Sequence, residues 1–515
     1  MSDKNFYLTT PIYYVNDKPH IGHAYTTILG DVLCRCHRLL GEPVHFLTGT
    51  DEHGQKVEQA ARKNGTDPLT HCDKYVVRFQ ELWKRLGISN DDFIRTTEPR
   101  HTVVVQKILQ DLWDRGLIYQ SDYKGNYCVG CERYFTDKDL QDGCCPDCGR
   151  KVDVLVEKNY FLRMSQFQQR LIDHINANPD FIRPANRRQE TLGFLKKPLD
   201  DLCISRSKSR LSWGIELPFD KDYVTYVWFD ALVNYISAVG YLSDEETFKT
   251  WWPANFHLIG KDILTTHSVY WPTMLMAMDL PLPKTIFAHG WWLIAEQKMS
   301  KSVGNVVNPM DMADKYGVDA LRYFLMAAMS LGQDANFSEE GFVTRYNADL
   351  ANNLGNLLSR MCTMAVKNFD GVLPAATEPT DAEKEMVEAC HNASRSWENA
   401  IVNMQLDRGI ADIMAATAAT NRYFDAMKPW AMAKAGDTEG LGRVLRNTAE
   451  ALRVVSGLLY PVMPSKMTEL RRAIGLPEEE LVPSMSKLEQ WNLLPDGAKV
   501  TVVEGSLFPR IKFEG

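Results

Sequence analysis

Apolar residues recur along the first fifty positions in two rhythms. Residues 5–10 (NFYLTT) and 43–49 (PVHFLTG) are short apolar-rich runs of strand length. Between them IGHAYTTILGDVLCRCHRLLG spaces its apolar positions at helical intervals and closes on Gly41, a helix stop signal. Strand, helix, strand with short joints makes a βαβ unit. The rhythm returns at FHLIG (256–260), a helix through about residue 278, and TIFAHG (285–290). These runs predict an α/β fold with one Rossmann-like parallel sheet in two halves, residues 1–115 and 226–334, interrupted by an insertion over 116–225. From about residue 335 the pattern changes to long helical segments such as FVTRYNADLANNLGNLLSRMCTMAVKNF and NMQLDRGIADIMAATAATNRYFDAM. An α-helical bundle over 335–515 is predicted, with GVLPAATEPTD (371–381) as a connector inside it.

A chain of 515 residues exceeds what one core usually holds, which supports several domains. No run of about 18 apolar residues appears, and the first residues lack a basic stretch followed by an apolar one, so a cytoplasmic protein with no membrane partner is expected. Eleven cysteines without a secretory signal read as thiols or metal ligands rather than a disulfide framework. The net charge of −8 argues against non-specific nucleic-acid affinity. One local exception is Arg183 to Arg210, with eight basic residues against three acidic ones, which suits a polyanion or a solvated basic surface.

Pro19-His20-Ile21-Gly22-His23 places two imidazoles one turn apart where a helix begins. A helix N-terminus offers backbone N–H groups and a favourable dipole to phosphates. His20 and His23 then act as donors, and Gly22 lets a nucleotide lie against the backbone; the alternative is a pair of capping or packing histidines. Lys298-Met299-Ser300-Lys301-Ser302 puts two ammonium groups on a loop, suited to charge that develops on a leaving pyrophosphate or simply to a solvated surface. Asp51 follows the second strand, at the sheet edge where ligands bind, and suits an ammonium-bearing substrate or the cap of a helix starting near Gly54. Gly260 and Asp262 occupy the same edge after another strand, with Asp262 placed to accept from ribose hydroxyls.

Cys128-x-x-Cys131 and, after thirteen intervening residues, Cys145-x-x-Cys148 form two knuckles whose four thiolates close a tetrahedral Zn²⁺ site. Such a site has no open position, so the zinc is structural; Cys144 is the extra thiol beside it.

The histidine and lysine motifs, in this order, resemble the two signatures of class I aminoacyl-tRNA synthetases. PIYYVNDKPHIGH, TGTDEHG, YVWFDALVNY, LIGKDILTTHSVYWP, KMSKS and NNLGNLLSR narrow the resemblance to the methionyl members, from about Phe6 to the end of the chain. The resemblance implies a ligase that activates L-methionine with ATP to methionyl-adenylate, releases pyrophosphate, and transfers the amino acid to the 3′-terminal ribose of tRNA(Met), the 2′-hydroxyl attacking first. It implies His20, His23, Lys298 and Lys301 as catalytic residues, with Gly22, Gly260 and Asp262 completing the ATP site. The methionine site it implies comprises Ile12, Tyr14, Asp51, Trp228, Ala231, Leu232, Tyr235, Ile263 and His267, with Asp51 on the α-amino group. Leu232 stands where some members carry proline.

The resemblance further implies Asn356, Arg360 and Trp430 as anticodon readers, and an amide, a guanidinium and an indole are suitable tools for unstacked bases. Mg²⁺ is expected with ATP, without a dedicated protein cage. An insertion of about 110 residues leaves no room for a hydrolytic editing domain beside a zinc lobe, so proofreading against homocysteine falls to the synthetic site. A monomer is expected, because the chain stops soon after the bundle. The competing readings are a small-molecule nucleotidyltransferase, for which the cysteines and the bundle have little use, and a silent tRNA-binding relative, in which the phosphate motifs would be damaged.

Overall fold

The computed structural model describes residues 5–15, 19–129, 133–135, 140–146, 148–294, 296–298 and 307–513, with the side chains of 123, 124, 133–135, 155–157, 297 and 298 set aside. The chain divides into two compact units, Met1–Pro19 with Val44–His289 and His20–Pro43 with Gly290–Gly515.

In the first unit the strands run, in chain order, β1 (Phe6–Tyr14), β2 (Val44–Asp51), β3 (Asp92–Arg95), β4 (Ile118–Cys128), β5 (Arg133–Phe135), β6 (Asp153–Leu162), β7 (Ile182–Arg183), β8 (Leu202–Cys203), β9 (Ser205–Ser207), β10 (Tyr223–Thr225), β11 (Phe256–Gly260) and β12 (Thr285–His289). Six of them form one parallel sheet in the order β3-β2-β1-β11-β12-β7. Parallel strands align their carboxyl ends, so Tyr14 stands opposite Asp51, and Gly260 opposite His289, along one edge. Pro11 cannot donate to the ladder, and the β1–β2 register slips by one residue between Thr9 and Ile12. The sheet packs in a core that includes Tyr7, Leu47, Ile108, Ile182, Ile259 and Trp271.

The four predicted strands are present, and β3 and β7 extend the sheet at its two edges. β7 lies inside 116–225 and pairs with β12, Ile182 opposite Ile286, so that segment is not a single insertion. What leaves the sheet is a four-stranded antiparallel layer ordered β5-β4-β6-β8, with β9 and β10 paired beyond it. Ile118, Tyr160 and Leu162 at its base join the main core, while Cys128 and Cys145 at its far end pack with Leu140 and Val152. The helix predicted after β11 is broken into a 3₁₀ turn (Lys261–Ile263), a π turn (Thr266–Tyr270) and an α-helix (Trp271–Ala277).

The second unit begins at Gly290 rather than near 335, and it takes in the helix Ile21–Leu39. Two bonds show why. Ile21 N–H donates to the Val307 carbonyl at 3.2 Å, and Asp31 pairs with Arg322 at 2.6 Å, both side chains fully buried. Arg322 also donates from Nη2 to the Pro461 carbonyl and from Nε to the Val462 carbonyl, which satisfies two more protons of a buried guanidinium. The predicted bundle is built from long helices such as Asn356–Phe369, Lys384–Asn403, Leu406–Met427 and Thr438–Leu459.

Candidate active site

Asp51 is the last residue of β2 and is 2% exposed. The residues after it are fastened on both sides. Glu52, fully buried, accepts from Arg95 Nε (2.7 Å) and Nη2 (2.9 Å), Thr97 Oγ1 (2.6 Å) and Thr50 Oγ1 (2.7 Å). His53 Nδ1 lies 2.6 Å from Asp230. The next helix, Gln55–Lys63, has Gly54 and not Asp51 at its cap position.

Across from this edge, Trp228, Ala231 and Leu232 lie on the helix Val227–Leu232 and Tyr235 on Asn234–Ser237. Ala231, Leu232 and Tyr235 are buried, whereas Trp228, Ile12, Tyr14 and Ile263 are half-buried and pack against the same core. The Tyr235 hydroxyl is 2.8 Å from His267 Nε2, and His267 Nδ1 is 3.0 Å from the Ile263 carbonyl. A carbonyl only accepts, so the neutral ring carries its proton on Nδ1 and accepts from Tyr235 on Nε2. Burial pushes the His267 pKa down to about 4, against smaller opposing effects of the Ile263 bond and Asp262. Burial likewise raises the Tyr235 hydroxyl, with the charges of Tyr13 and Asp51 acting in the same direction. Trp228 presents to His267 edge-on at 6.5 Å between rings, and the Lys56 ammonium stands 4.5 Å from the Tyr14 ring. The predicted methionine-site residues thus belong to one unit, around one sheet edge.

A layer beneath is invisible to pattern reading. The Tyr235 ring packs 4.3 Å from His257, which accepts the Trp271 indole N–H on Nε2 (3.1 Å) and therefore donates from Nδ1 to Thr9 Oγ1 (2.8 Å). Tyr7 donates to the Tyr235 carbonyl at 2.8 Å. On the same edge Asp262 is exposed and bends back over Gly260, where an added Cβ would stand 2.6 Å from Asp262 Oδ1.

In the second unit, His20 caps the helix that carries His23. Gly22 N–H donates to His20 Nδ1 and the His20 N–H donates to His23 Nδ1, each at 3.1 Å. The rings stack 3.8 Å apart. Capping and phosphate donation are therefore compatible: Nδ1 of each ring is occupied as acceptor, which leaves the neutral proton on Nε2. The space at Gly22 is taken by His20 itself, since a Cβ there would lie 2.9 Å from Cε1 and 3.1 Å from Nδ1. Lys298 pairs with Leu293 in a short antiparallel ladder; its side chain, and Lys301 altogether, lie outside the described residues.

Cys128, Cys145 and Cys148 bring their sulfurs within 4.8 Å of one another, with Cys128 and Cys148 at 3.5 Å. Four Zn–S bonds of about 2.3 Å place sulfurs about 3.8 Å apart, so this donor set fits Zn²⁺. Cys145 and Gly149 close the knuckle through an N–H to carbonyl bond of 2.8 Å, with Gly149 at φ +69°. Cys131 lies outside the described residues, and Cys144 is outside the cluster.

Asn356 and Trp430 are exposed, and the Arg360 guanidinium lies 5.7 Å from the Trp430 ring and 4.8 Å from Phe424. Asp425 pairs with Arg360 at 2.5 Å. The basic run 183–210 is only in part a surface: Arg206 is buried between Tyr127 (5.0 Å) and Tyr226 (4.5 Å), and Arg188 donates to the Ile175 carbonyl. Among the described residues no helix is long and apolar enough to cross a membrane.

Comparison with known proteins bears on the same residues. The family described as tRNA synthetases class I (M) matches residues 6–154 and 150–362, and the anticodon binding domain of methionyl tRNA ligase matches 373–514. A methionine–tRNA ligase of Caldanaerobacter subterraneus subsp. tengcongensis is 45% identical over 513 residues, 99% of this chain and 80% of that one. The Streptomyces coelicolor methionine–tRNA ligase is 44% identical over 531 residues, 99% of this chain and 97% of that one. A structure of Mycobacterium tuberculosis methionyl-tRNA synthetase in complex with methionyl-adenylate superposes with a TM-score of 0.93 at 38% identity, covering 98% of this chain and 100% of the other.

Proposed function

The chain belongs to the methionyl branch of the class I tRNA synthetases, and from that premise we propose how its residues divide the labour of a methionine–tRNA ligase. The enzyme activates L-methionine with ATP and passes the methionyl group to tRNA. The observation that carries the assignment of residues is the buried Asp51 at the carboxyl edge of the sheet, whose charge acts on the Tyr235 hydroxyl of the Tyr235–His267 pair. Asp51 takes the substrate ammonium. A flexible thioether needs a shaped apolar sleeve with aromatic edges, and Ile12, Tyr14, Trp228, Ala231, Leu232, Tyr235, Ile263 and His267 supply it. His267, kept neutral by burial, adds a polar wall without a charge that would repel the substrate ammonium.

In the first step a methionine carboxylate oxygen forms a bond to the α-phosphorus and the bond to pyrophosphate breaks. No base is needed, because the carboxylate is already ionised. His20 and His23 donate through Nε2–H to phosphate oxygens, and Lys298 and Lys301 stabilise the charge that moves onto the leaving pyrophosphate. Gly260 and Asp262 receive the ribose. Mg²⁺ would enter with ATP and neutralise phosphate charge. In the second step the terminal 2′-hydroxyl of tRNA attacks the carbonyl, AMP leaves, and the hydroxyl proton departs with it.

Cys128, Cys131, Cys145 and Cys148 hold one structural Zn²⁺ that stiffens the far end of the antiparallel layer. Asn356, Arg360 and Trp430 read the anticodon of tRNA(Met). The protein works in the cytoplasm, as a monomer. The test is methionine-dependent exchange of pyrophosphate into ATP: exchange with methionine and loss of it in Asp51→Ala supports the assignment, whereas exchange driven by another amino acid, or none alongside retained tRNA binding, overturns it.

A further inference from the structure

Asp230 is fully buried between two imidazoles, and the chemistry above makes no use of it. One carboxylate oxygen is 2.6 Å from His53 Nδ1 and the other 2.7 Å from His101 Nε2, while His101 Nδ1 is 2.9 Å from Ser237 Oγ. Asp230 is a carboxylate: burial disfavours the charge, but the two histidines more than offset this and hold its pKa below the usual range. A carboxylate only accepts, so both rings present N–H to it, and each tautomer is fixed. The node joins three places that matter to the amino-acid site. His53 is two residues beyond Asp51, Asp230 shares a helix with Trp228, Ala231 and Leu232, and Ser237 shares one with Tyr235.

We propose that Asp230 is a positioning residue of the amino-acid site: through His53 it sets where the Asp51 carboxylate stands for the substrate ammonium. The proposal rests on the reading of Asp51 as the ammonium partner. Glu52 is held independently by Arg95, Thr50 and Thr97, so loss of the Asp230 bond displaces the segment after Asp51 without releasing it. Asparagine at 230 offers one acceptor and one donor, and only one of the two imidazoles keeps its bond. The other meets an N–H and must change tautomer or turn away.

The experiment is pyrophosphate exchange by the full chain, read separately for methionine and ATP, together with inhibition by 4-(methylthio)butanoate, which is methionine without its amino group. Asp230→Asn is expected to raise the methionine KM by about tenfold, to leave the ATP KM within about twofold, and to leave inhibition by the desamino acid unchanged. His53→Leu should reproduce this pattern. His53→Asn, which keeps a donor near the Nδ1 position, should restore most of the methionine affinity, and this pair of variants carries the test if Asp230→Asn folds poorly. Equal weakening of methionine and the desamino acid, no change in the methionine KM, or no recovery in His53→Asn relative to His53→Leu overturns the proposal. Asp51→Asn is the separate control. If Asp51→Asn weakens methionine and the desamino acid equally, the ammonium reading falls and the proposal falls with it; if it weakens methionine alone and Asp230→Asn does not, only the proposal falls.

Discussion

The Tyr235 hydroxyl donates to Nε2 of His267 at 2.8 Å, and the Ile263 carbonyl holds the other nitrogen of that ring. With its folded-state pKa near 4 and an unfolded value of about 6.5, His267 binds a proton in the unfolded chain that the folded one refuses. The contribution to stability is whole above about pH 6.5 and is lost as pH falls towards 4, by roughly 3 kcal/mol. His257, depressed further by the same burial, adds to the loss. Urea midpoints measured from pH 7.5 to 4.5 should fall, and the fall should be shallower in His267→Gln.

At Gly22 a methyl group competes with the His20 ring for the same space. Gly22→Ala gains about 0.5–1 kcal/mol from helix propensity and loses about 1 kcal/mol from the cap, so thermal stability should barely move. If His20 donates to a phosphate as proposed, pyrophosphate exchange should nevertheless fall by at least about tenfold, because its Nε2–H is displaced. Melting curves beside exchange rates separate the two effects.

If the four cysteines hold zinc as proposed, Cys145→Ser should reduce bound zinc from about one ion per chain to almost none, by elemental analysis, because one of four thiolate ligands is gone. Trypsin should then cut between 118 and 162 under conditions that leave the parent chain intact. Retention of stoichiometric zinc would remove Cys145 from the ligand set.

Trp430 is 49% exposed, so Trp430→Ala should cost the fold at most about 1 kcal/mol. If it stacks on an anticodon base, kcat/KM for tRNA should drop about 10- to 100-fold, the equivalent of about 1–3 kcal/mol of stacking. Exchange of pyrophosphate, which needs no tRNA, should be unchanged.

Elements with long, regular apolar spacing are legible in the amino-acid sequence itself: the strands at 6, 44, 256 and 285 and the helix Leu406–Met427 begin within a few residues of where the pattern places them, whereas the run 342–369 is interrupted by a π segment at Tyr346–Gly355. β3 and β7 are not legible, since four and two residues are too few to show a period, and both lie at sheet edges. Site residues divide in the same manner. Asp51, the histidines and the cysteines announce themselves through neighbours in sequence, whereas His53, His101 and Asp230 meet across separations of 177 and 129 residues and leave no local trace. Arg206 misleads for the opposite reason: its charge counts towards a basic run, yet two tyrosines enclose it.

The π turn at Thr266–Tyr270 makes this stretch sensitive to length as well as to identity. Removing one residue there would let a uniform α-helix form, which locally is the more comfortable state. Each residue of an α-helix advances the direction of its side chains by about 100°, so everything downstream would be rotated by that amount. Trp271 would then swing off His257, and a different stripe would be offered to the sheet. Point changes in this stretch can be absorbed one side chain at a time; a single-residue deletion cannot.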